Sequence, residues 1–231
     1  MEKRNKIALF GNIVLAILIA ISDIVFMLGV LDKYIIKTLA SALFVFCGAF
    51  NLVLAFKFNG ENKYKSVVML LGLIFAFVGD VVLIDNFILG AIFFAVGHLF
   101  FLAYFILLSR LTYIDAIVMA IIFSCSLALI LLFPFEFDGM KALVIIYAFI
   151  ISLMLSKAVS NYILNRTLAN LIILIGASLF FFSDVMLLFN VFTNISNVFD
   201  YLCLATYYPG EFLLGLSIYF QAFYTIESKN L

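Results

Sequence analysis

Long apolar runs separated by short polar turns fill almost the whole chain. Each run has about 18–25 residues, the length that an α-helix needs to cross the hydrocarbon core of a bilayer. The runs lack the alternation of period two that barrel strands show, and unpaired backbone groups are costly in lipid, so each run should be helical. The pattern predicts about eight transmembrane helices, at residues 7–30, 34–56, 67–84, 87–108, 113–133, 141–158, 168–189 and 199–224.

The composition supports this interpretation. The chain has 231 residues, of which 68% are hydrophobic and 11% are charged, whereas soluble domains are about 45–50% apolar and about 25% charged. The apolar runs are too many and too long for a signal peptide followed by a soluble domain. We therefore expect one integral membrane domain over residues 1–231, an all-α, polytopic membrane helix bundle.

Lysine and arginine residues are distributed unevenly between the two sides of this bundle. If the N-terminus is cytoplasmic, ten of the 13 Lys and Arg residues fall in inner segments and three in outer ones. The positive-inside rule then places both termini in the cytoplasm. The bias towards Phe, Ile, Asn and Lys is typical of AT-rich microbial genomes, so we expect a bacterial plasma membrane. The formal net charge is zero, which gives no reason to expect a nucleic-acid partner.

Two segments of the chain resemble each other. Residues 72–83 (GLIFAFVGDVVL) and residues 176–187 (GASLFFFSDVML) both place an aspartate eight residues after a glycine. They lie in the third and seventh predicted helices, which run in the same direction across the membrane. This indicates a parallel 4+4 internal repeat, with chance similarity between Phe-rich and Leu-rich helices as the alternative.

Ionisable residues inside the apolar segments are the candidate functional residues. An aspartate at the centre of the bilayer costs roughly 2.5–3.5 kcal/mol on insertion scales, so such a residue is by default a site hypothesis. Counted from the segment ends, these residues all lie at mid-depth or towards the outer side, whereas the inner halves are almost purely Leu, Ile and Phe. They are Asp23, Lys37, Asp80, the single histidine His98, Asp184 and Glu211.

Small or aromatic residues share a helical face with three of these side chains. Small residues beside a carboxylate let helices approach closely, so that the charge is buried in protein and kept away from lipid. Tyr208 lies three residues before Glu211, and Pro209 is expected to kink the helix towards this polar layer. The three sets are Gly72, Ala76 and Asp80; Gly90, Phe94 and His98; and Tyr207, Glu211 and Gly215.

Structural roles are the alternative for several of these residues. Asp23 can be a hydrogen-bonding partner of a Tyr or Ser, His98 a donor between helices, and Lys37 a residue that reaches up to the head groups. The intramembrane serines lack a GxSxG context and are expected to pack helices. They are Ser41, Ser124, Ser126 and Ser178.

The residue inventory excludes some site classes and favours carboxylate chemistry. A histidine-rich zinc site needs more than one His, and no serine has the context of a Ser–His dyad, so we expect neither metal nor cofactor. Paired carboxylates in a low-dielectric pocket divide their roles, one protonated and one ionised. This suits substrates that react through an oxocarbenium ion, such as glycosides, acetals and enol ethers. Inside a bilayer the expected substrate is a lipid.

Five short segments follow one another in a recognisable order along the chain. They are Lys37-Thr-Leu, Val78-Gly-Asp80, Gly90 to His98 and on to Tyr104, Gly176 to Asp184, and Ala205-Thr-Tyr-Tyr-Pro-Gly-Glu211. With this ordered set the chain resembles the YhhN family, the transmembrane lysoplasmalogenases. The chain departs from the family pattern at Thr38, where a proline is usual, and at Glu211, where relatives more often have Gln or His.

The resemblance implies an activity that the residue chemistry allows. Its substrate would be a lysophospholipid, lysoplasmalogen, whose vinyl ether bond is hydrolysed to a fatty aldehyde and glycerophospho-ethanolamine or -choline, without metal or organic cofactor. We hypothesise that Asp80 and Asp184 supply the acid and the ion-stabilising base, in an order that the sequence does not determine. His98 and Glu211 would position water or tune this pair.

Three further residues are predicted to bind substrate. Tyr207 and Tyr208 would donate hydrogen bonds in the site, and Lys37, near the outer surface, is the candidate partner of the lipid phosphate. Two other readings remain. A proton-coupled transporter of small molecules or lipids would use the same buried carboxylates. A non-catalytic membrane scaffold would tolerate their neutralisation.

Overall fold

The chain forms a bundle of α-helices. The structure, a computed structural model, describes residues 2–28, 32–193, 195 and 198–224, and within these ranges it contains eight helices and no strand. The largest fully buried side chains come from several helices and include Phe44, Tyr104 and Phe180. The helices are α1 (Glu2–Met27), α2 (Lys33–Lys57), α3 (Ser66–Leu83), α4 (Phe87–Leu108), α5 (Tyr113–Leu132), α6 (Lys141–Leu164), α7 (Leu168–Phe192) and α8 (Val198–Phe223).

Seven of these described helices are long and apolar enough to cross a membrane, judged by length and composition. The exception is α8, which is 26 residues long but carries Tyr207, Tyr208 and Glu211 in its middle. It packs against α1, α2, α3 and α7, and all three of these side chains are buried. A helix that is covered by other helices does not need an apolar surface. The predicted polytopic all-α bundle is confirmed.

Two helices extend beyond a predicted bound by five residues or more. Helix α1 begins at Glu2, before the predicted start at residue 7, and an ion pair between Lys6 and Glu2 at 2.6 Å supports its first turn. Helix α6 continues to Leu164, beyond the predicted end at residue 158. Its extra turns are held by the Asn161 side chain, which donates to the Phe105 carbonyl at 2.9 Å. The predicted end of the first helix, at residue 30, lies outside the described residues.

Lys157 is a buried cation in α6. It was counted among the inner positive charges and lies within the predicted sixth helix, and the structure shows that it is only 1% exposed. Its Nζ lies 3.2 Å from Asp115 Oδ1 on α5 and donates to the Arg110 carbonyl at 2.8 Å. Among the described helices α5 packs against α6 alone. Removing one partner of a buried ion pair is strongly destabilising, so this pair holds α5 to the bundle.

The packing order of the helices agrees with a 4+4 internal repeat. Helices α1 to α4 pack in sequence, and so do α5 to α8. Four helix pairs join the halves, and two of them, α2 with α8 and α4 with α6, are related by the repeat. In a 4+4 repeat α2 corresponds to α6 and α8 corresponds to α4. The contact between α2 and α8 is therefore equivalent to the contact between α6 and α4. Helix α8 breaks the symmetry because it also contacts α1 and α3.

Glycines allow close helix crossings at equivalent places in the two halves. A Cβ added to Gly97 on α4 would lie 3.2 Å from the carbonyl oxygen of Gly72 on α3. In the second half the contact is reciprocal, because a Cβ on either Gly176 of α7 or Gly210 of α8 would lie 3.0 Å from the carbonyl oxygen of the other. The absence of side chains therefore sets the separation of these helix pairs.

We expect Gly210→Leu to lower the midpoint of thermal unfolding in detergent. The new side chain would meet backbone atoms of α7, and overpacking of this kind costs about 1–3 kcal/mol. Each kcal/mol corresponds to roughly 2–4 °C for a chain of this size. The measurement is the fraction of monodisperse protein that survives heating, followed by size-exclusion chromatography.

Ala120→Leu is the matched control, because it adds a larger side chain on an exposed position of α5. Equal melting of Gly210→Leu and the wild type would show that the close approach of α7 and α8 is not required.

Candidate active site

Asp184 is the centre of a hydrogen-bonded group that joins three helices. Its Oδ2 accepts a hydrogen bond from the Tyr147 hydroxyl of α6 at 2.9 Å and lies 3.2 Å from Nε2 of His98 on α4. The same His98 nitrogen lies 2.9 Å from the Tyr147 oxygen. Because the hydroxyl hydrogen is directed at Asp184, the tyrosine oxygen can accept from Nε2 when this nitrogen is protonated. The three polar groups therefore form one closed triangle.

Asp80 is the centre of a second group of the same kind. Its Oδ2 accepts from the Ser41 hydroxyl of α2 at 2.6 Å and from the Tyr207 hydroxyl of α8 at 2.8 Å. Asp80 is 5% exposed. Lys37 lies one helical turn before Ser41 on α2, is half-buried, and is close enough for its charge to interact with that of Asp80. This group therefore contains the one cation expected to bind phosphate.

The two groups are equivalent under the internal repeat. Asp80 of α3 is held from α2 and α8, and Asp184 of α7 is held from α6 and α4. Exchange of the halves converts one set of helices into the other. The short sequence similarity around the two aspartates thus corresponds to a similar three-dimensional arrangement, in which the donor side chains have diverged.

An aromatic layer lies between the two aspartate groups. The Phe180 ring is centred 4.6 Å from the His98 ring and 5.2 Å from the Tyr207 ring. Phe94 packs edge-on against Tyr207 at 6.0 Å. Within the described residues the two carboxylates do not hydrogen-bond to each other, although they are close enough for their charges to interact. Direct sharing of one proton between them therefore has no support from a contact.

Glu211 and Tyr208 are buried beside these groups. Glu211 is 0% exposed, neither of its carboxyl oxygens has a hydrogen-bond partner in the described part of the chain, and its charge would interact with both aspartates. Tyr208 is also buried, with its ring 5.1 Å from that of Tyr207. Asp23, on α1, is half-buried and belongs to neither group. In the described ranges, no three His, Cys, Asp or Glu side chains are arranged so as to hold a metal ion.

An apolar cavity of about 90 Å³ reaches the Asp184 group. It lies between helices α3 to α7 on the side where α5 and α7 end, and Leu, Ile, Val, Phe and Ala side chains form nearly all of its wall. The polar residues on the wall are Asp184, Tyr147 and Ser126, and the Ser126 hydroxyl donates to the carbonyl of its own helix. Asp80 does not line this cavity. Of the two carboxyl groups expected in one pocket, only Asp184 therefore lines this cavity.

Two hydrogen-bonding residues of these groups were not identified from the sequence. Tyr147 was not singled out, because no small-residue stripe or motif marks it on α6. Ser41 was assigned to helix packing. Its hydroxyl does lie 2.8 Å from the Lys37 carbonyl oxygen of its own helix, as in packing serines, but it also contacts Asp80. The internal repeat could have found both, since it predicts that the partner helices of Asp80 and Asp184 are equivalent. His98 does connect helices by hydrogen bonds, which is the structural role that was given as the alternative to a catalytic one.

We expect Tyr147→Phe to be energetically coupled to Asp184→Asn and not to Asp80→Asn. Of the two aspartates, Tyr147 donates a hydrogen bond only to Asp184. Removal of the Tyr147 hydroxyl should therefore lower the stability less in Asp184→Asn than in the wild type. Groups in contact show coupling of about 0.5–3 kcal/mol, whereas independent sites add to within about 0.3–0.5 kcal/mol. The measurement is a pair of double-mutant cycles on the midpoint of thermal unfolding. Equal coupling to both aspartates would contradict the description of two separate groups.

Comparison with family models places this arrangement in a known group of proteins. The model of the YhhN family matches residues 32–218, which include both aspartate groups and extend from the start of α2 into α8. Comparisons with curated proteins and with solved structures give no match.

Proposed function

The chain belongs to the YhhN family, and from this premise we propose that it is a membrane-embedded lipid hydrolase. The substrate is lysoplasmalogen, and the reaction cleaves its vinyl ether bond to a fatty aldehyde and a glycerophospho-ethanolamine or -choline. The observation that supports this most is the position of Asp184, a carboxyl group oriented by Tyr147 and His98 on the wall of an apolar cavity. A hydrocarbon chain and a proton donor can meet there.

The chemistry needs two carboxyl groups with different tasks. Hydrolysis of a vinyl ether begins with slow protonation of the alkenyl carbon next to the one that bears oxygen, which requires a positioned acid. The resulting oxocarbenium ion is stabilised by a nearby negative charge, as in glycoside hydrolysis. Water then adds to the cation, and the hemiacetal collapses to aldehyde and alcohol. Asp80 and Asp184, each fixed by two polar neighbours, supply the acid and the anion.

The remaining polar residues support these two groups. Tyr207 fixes Asp80, and His98 and Tyr147 fix Asp184, so that each carboxyl group has one orientation. Glu211 is buried and close enough to both for its charge to interact with theirs, so it can tune which of them holds a proton. Orientation of this kind supplies much of the rate enhancement of an enzyme, because the groups do not have to reorganise during the reaction.

A proton-coupled carrier is the second candidate, and Glu211 is the observation that favours it. A fully buried carboxyl group without a hydrogen-bond partner among the described residues resembles the proton-binding groups of membrane transporters. Proteoliposomes separate the two functions. Release of aldehyde from lysoplasmenyl lipid in the absence of a proton gradient identifies the hydrolase, and gradient-dependent solute uptake without product identifies the carrier.

We expect Asp80→Asn and Asp184→Asn each to lower kcat for lysoplasmenyl lipid by about 10² or more, the usual contribution of a general acid or base. Asn keeps the size of the side chain and removes its ability to carry a proton or a charge. The measurement is aldehyde release by purified protein in detergent, with elution volume as the check on folding.

Asp23→Asn provides the matched control, since it makes the same change at an intramembrane aspartate outside both groups. Its activity should stay close to that of the wild type. Near-normal turnover in folded Asp80→Asn and Asp184→Asn protein would refute the proposed function.

A further inference from the structure

The cavity beside Asp184 has the properties of a site for a hydrocarbon chain. It provides about 90 Å³ of the space that the centre of a water molecule can reach, whereas one water needs about 10–15 Å³ of such space. A stable water also needs two to four polar partners, and beyond Asp184 and Tyr147 the wall offers only Ser126, whose hydroxyl is already used. Such a space is better filled by several methylene groups than by water.

Charge decides which part of a lysolipid can lie in this cavity. Among the described residues no cationic side chain lines the wall, so a phosphate would be left there without a counter-charge. Lys37 does not line the cavity and is close enough to Asp80 for their charges to interact. Phe94 marks the boundary, because it lines the cavity and packs against Tyr207, the partner of Asp80.

We propose that this cavity binds the alkenyl chain of the lysolipid, with the glycerophosphate head group directed towards Asp80 and Lys37. The proposal rests on the function proposed above and adds the orientation of the substrate. The cavity extends about 12 Å from Asp184. This is the length of the eight helical residues that separate Asp184 from Phe192, which lines the far end of the cavity on α7. The cavity therefore holds a section of the chain next to the reacting bond, and the rest continues towards the lipid.

This orientation assigns the roles of the two aspartates. The carbon that is protonated lies one position further along the chain than the carbon that bears oxygen, so it is on the cavity side, near Asp184. The described contacts of Asp184 with Tyr147 and His98 all involve Oδ2, which leaves Oδ1 to deliver the proton. The vinyl ether oxygen and the cationic carbon then lie on the side of Asp80.

The steps balance for one molecule of water. Asp184 transfers its proton to the chain-side carbon, and the π electrons of the double bond form the new C–H bond. Water adds to the oxocarbenium carbon while Asp80 takes its proton. When the hemiacetal collapses, Asp80 returns that proton to the departing glycerol oxygen, and the hemiacetal hydroxyl restores the proton of Asp184. Both carboxyl groups end in their initial states.

Substitutions that fill the cavity test the chain site. Ala148 and Ala91 line it from α6 and α4, and we expect Ala148→Leu, and independently Ala91→Leu, to lower kcat/KM for long-chain lysoplasmenyl lipids by about tenfold or more. Lipids with the shortest chains should be affected much less. Ala120→Leu, on an exposed part of α5, should leave the chain-length profile unchanged. An equal loss at every chain length, or no change in either folded variant, would overturn the proposal.

A binding experiment separates this proposal from the proposed function. Wild-type protein is photolabelled with an alkyl-ether lysolipid that cannot be hydrolysed and carries a diazirine in its chain, and the labelled peptides are identified by mass spectrometry. Label on α5, α6 and α7 around the cavity supports the chain site even if the protein releases no aldehyde. Label confined to the groove between α1 and α8, which Leu9, Ile13 and Phe220 line, overturns it.

The dependence of the residual rate on pH tests the assignment of roles. Loss of the general acid removes the fall in rate at high pH, and loss of the base removes the fall at low pH. Asp184→Asn should therefore lose the alkaline limb of the profile, and Asp80→Asn the acidic limb. The opposite pairing, or two profiles with both limbs retained, would overturn the assignment.

Discussion

The organisation of this protein follows from the inability of hydrocarbon to solvate a carboxylate. A buried polar group in a bilayer must find its partners on other helices or remain uncompensated at a cost of several kcal/mol. Asp80 solves this with hydroxyl groups from α2 and α8, and Asp184 with polar groups from α6 and α4. Each aspartate thereby fixes the relative positions of three helices. The residues assigned to the proposed chemistry are the same residues that join these helices.

The packing order and the two aspartate groups agree with a 4+4 repeat in which similar groups have different surroundings. In both halves a glycine crossing brings neighbouring helices together, and an aspartate is held by two other helices, one from each half. The donors differ, with Ser41 and Tyr207 in one half and Tyr147 and His98 in the other. Two equivalent carboxyl groups with unlike partners are a simple route to the division into acid and base that a vinyl ether hydrolase needs.

The sequence was sufficient for the helices and for the carboxyl groups, and insufficient for their partners. The apolar segments predicted all eight described helices, seven of which are long and apolar enough to cross a bilayer, because the bilayer imposes one segment length on every span. The cost of burial identified Asp80, Asp184, His98 and Glu211 without structural information. Tyr147 was not predicted, because a single tyrosine on an apolar helix has no local sequence signal. Its role depends on which face of α6 packs against α7. The ion pair of Lys157 has no local signal either, since its partner Asp115 lies 42 residues away.

The peripheral position of α5 links the packing of the bundle to the access of substrate. Near its start α5 is fastened by the buried pair of Asp115 and Lys157, and of the described helices it packs on α6 alone. Near its other end, at Leu129 and Ile130, it forms one wall of the cavity, and α4, which forms the opposite wall, makes no direct packing contact with it. The end of α5 next to the cavity is held to α7, because the rings of Phe133 and Phe189 are centred 5.0 Å apart. In the proposed function, the side between α4 and α5 is where a lipid chain would enter from the bilayer.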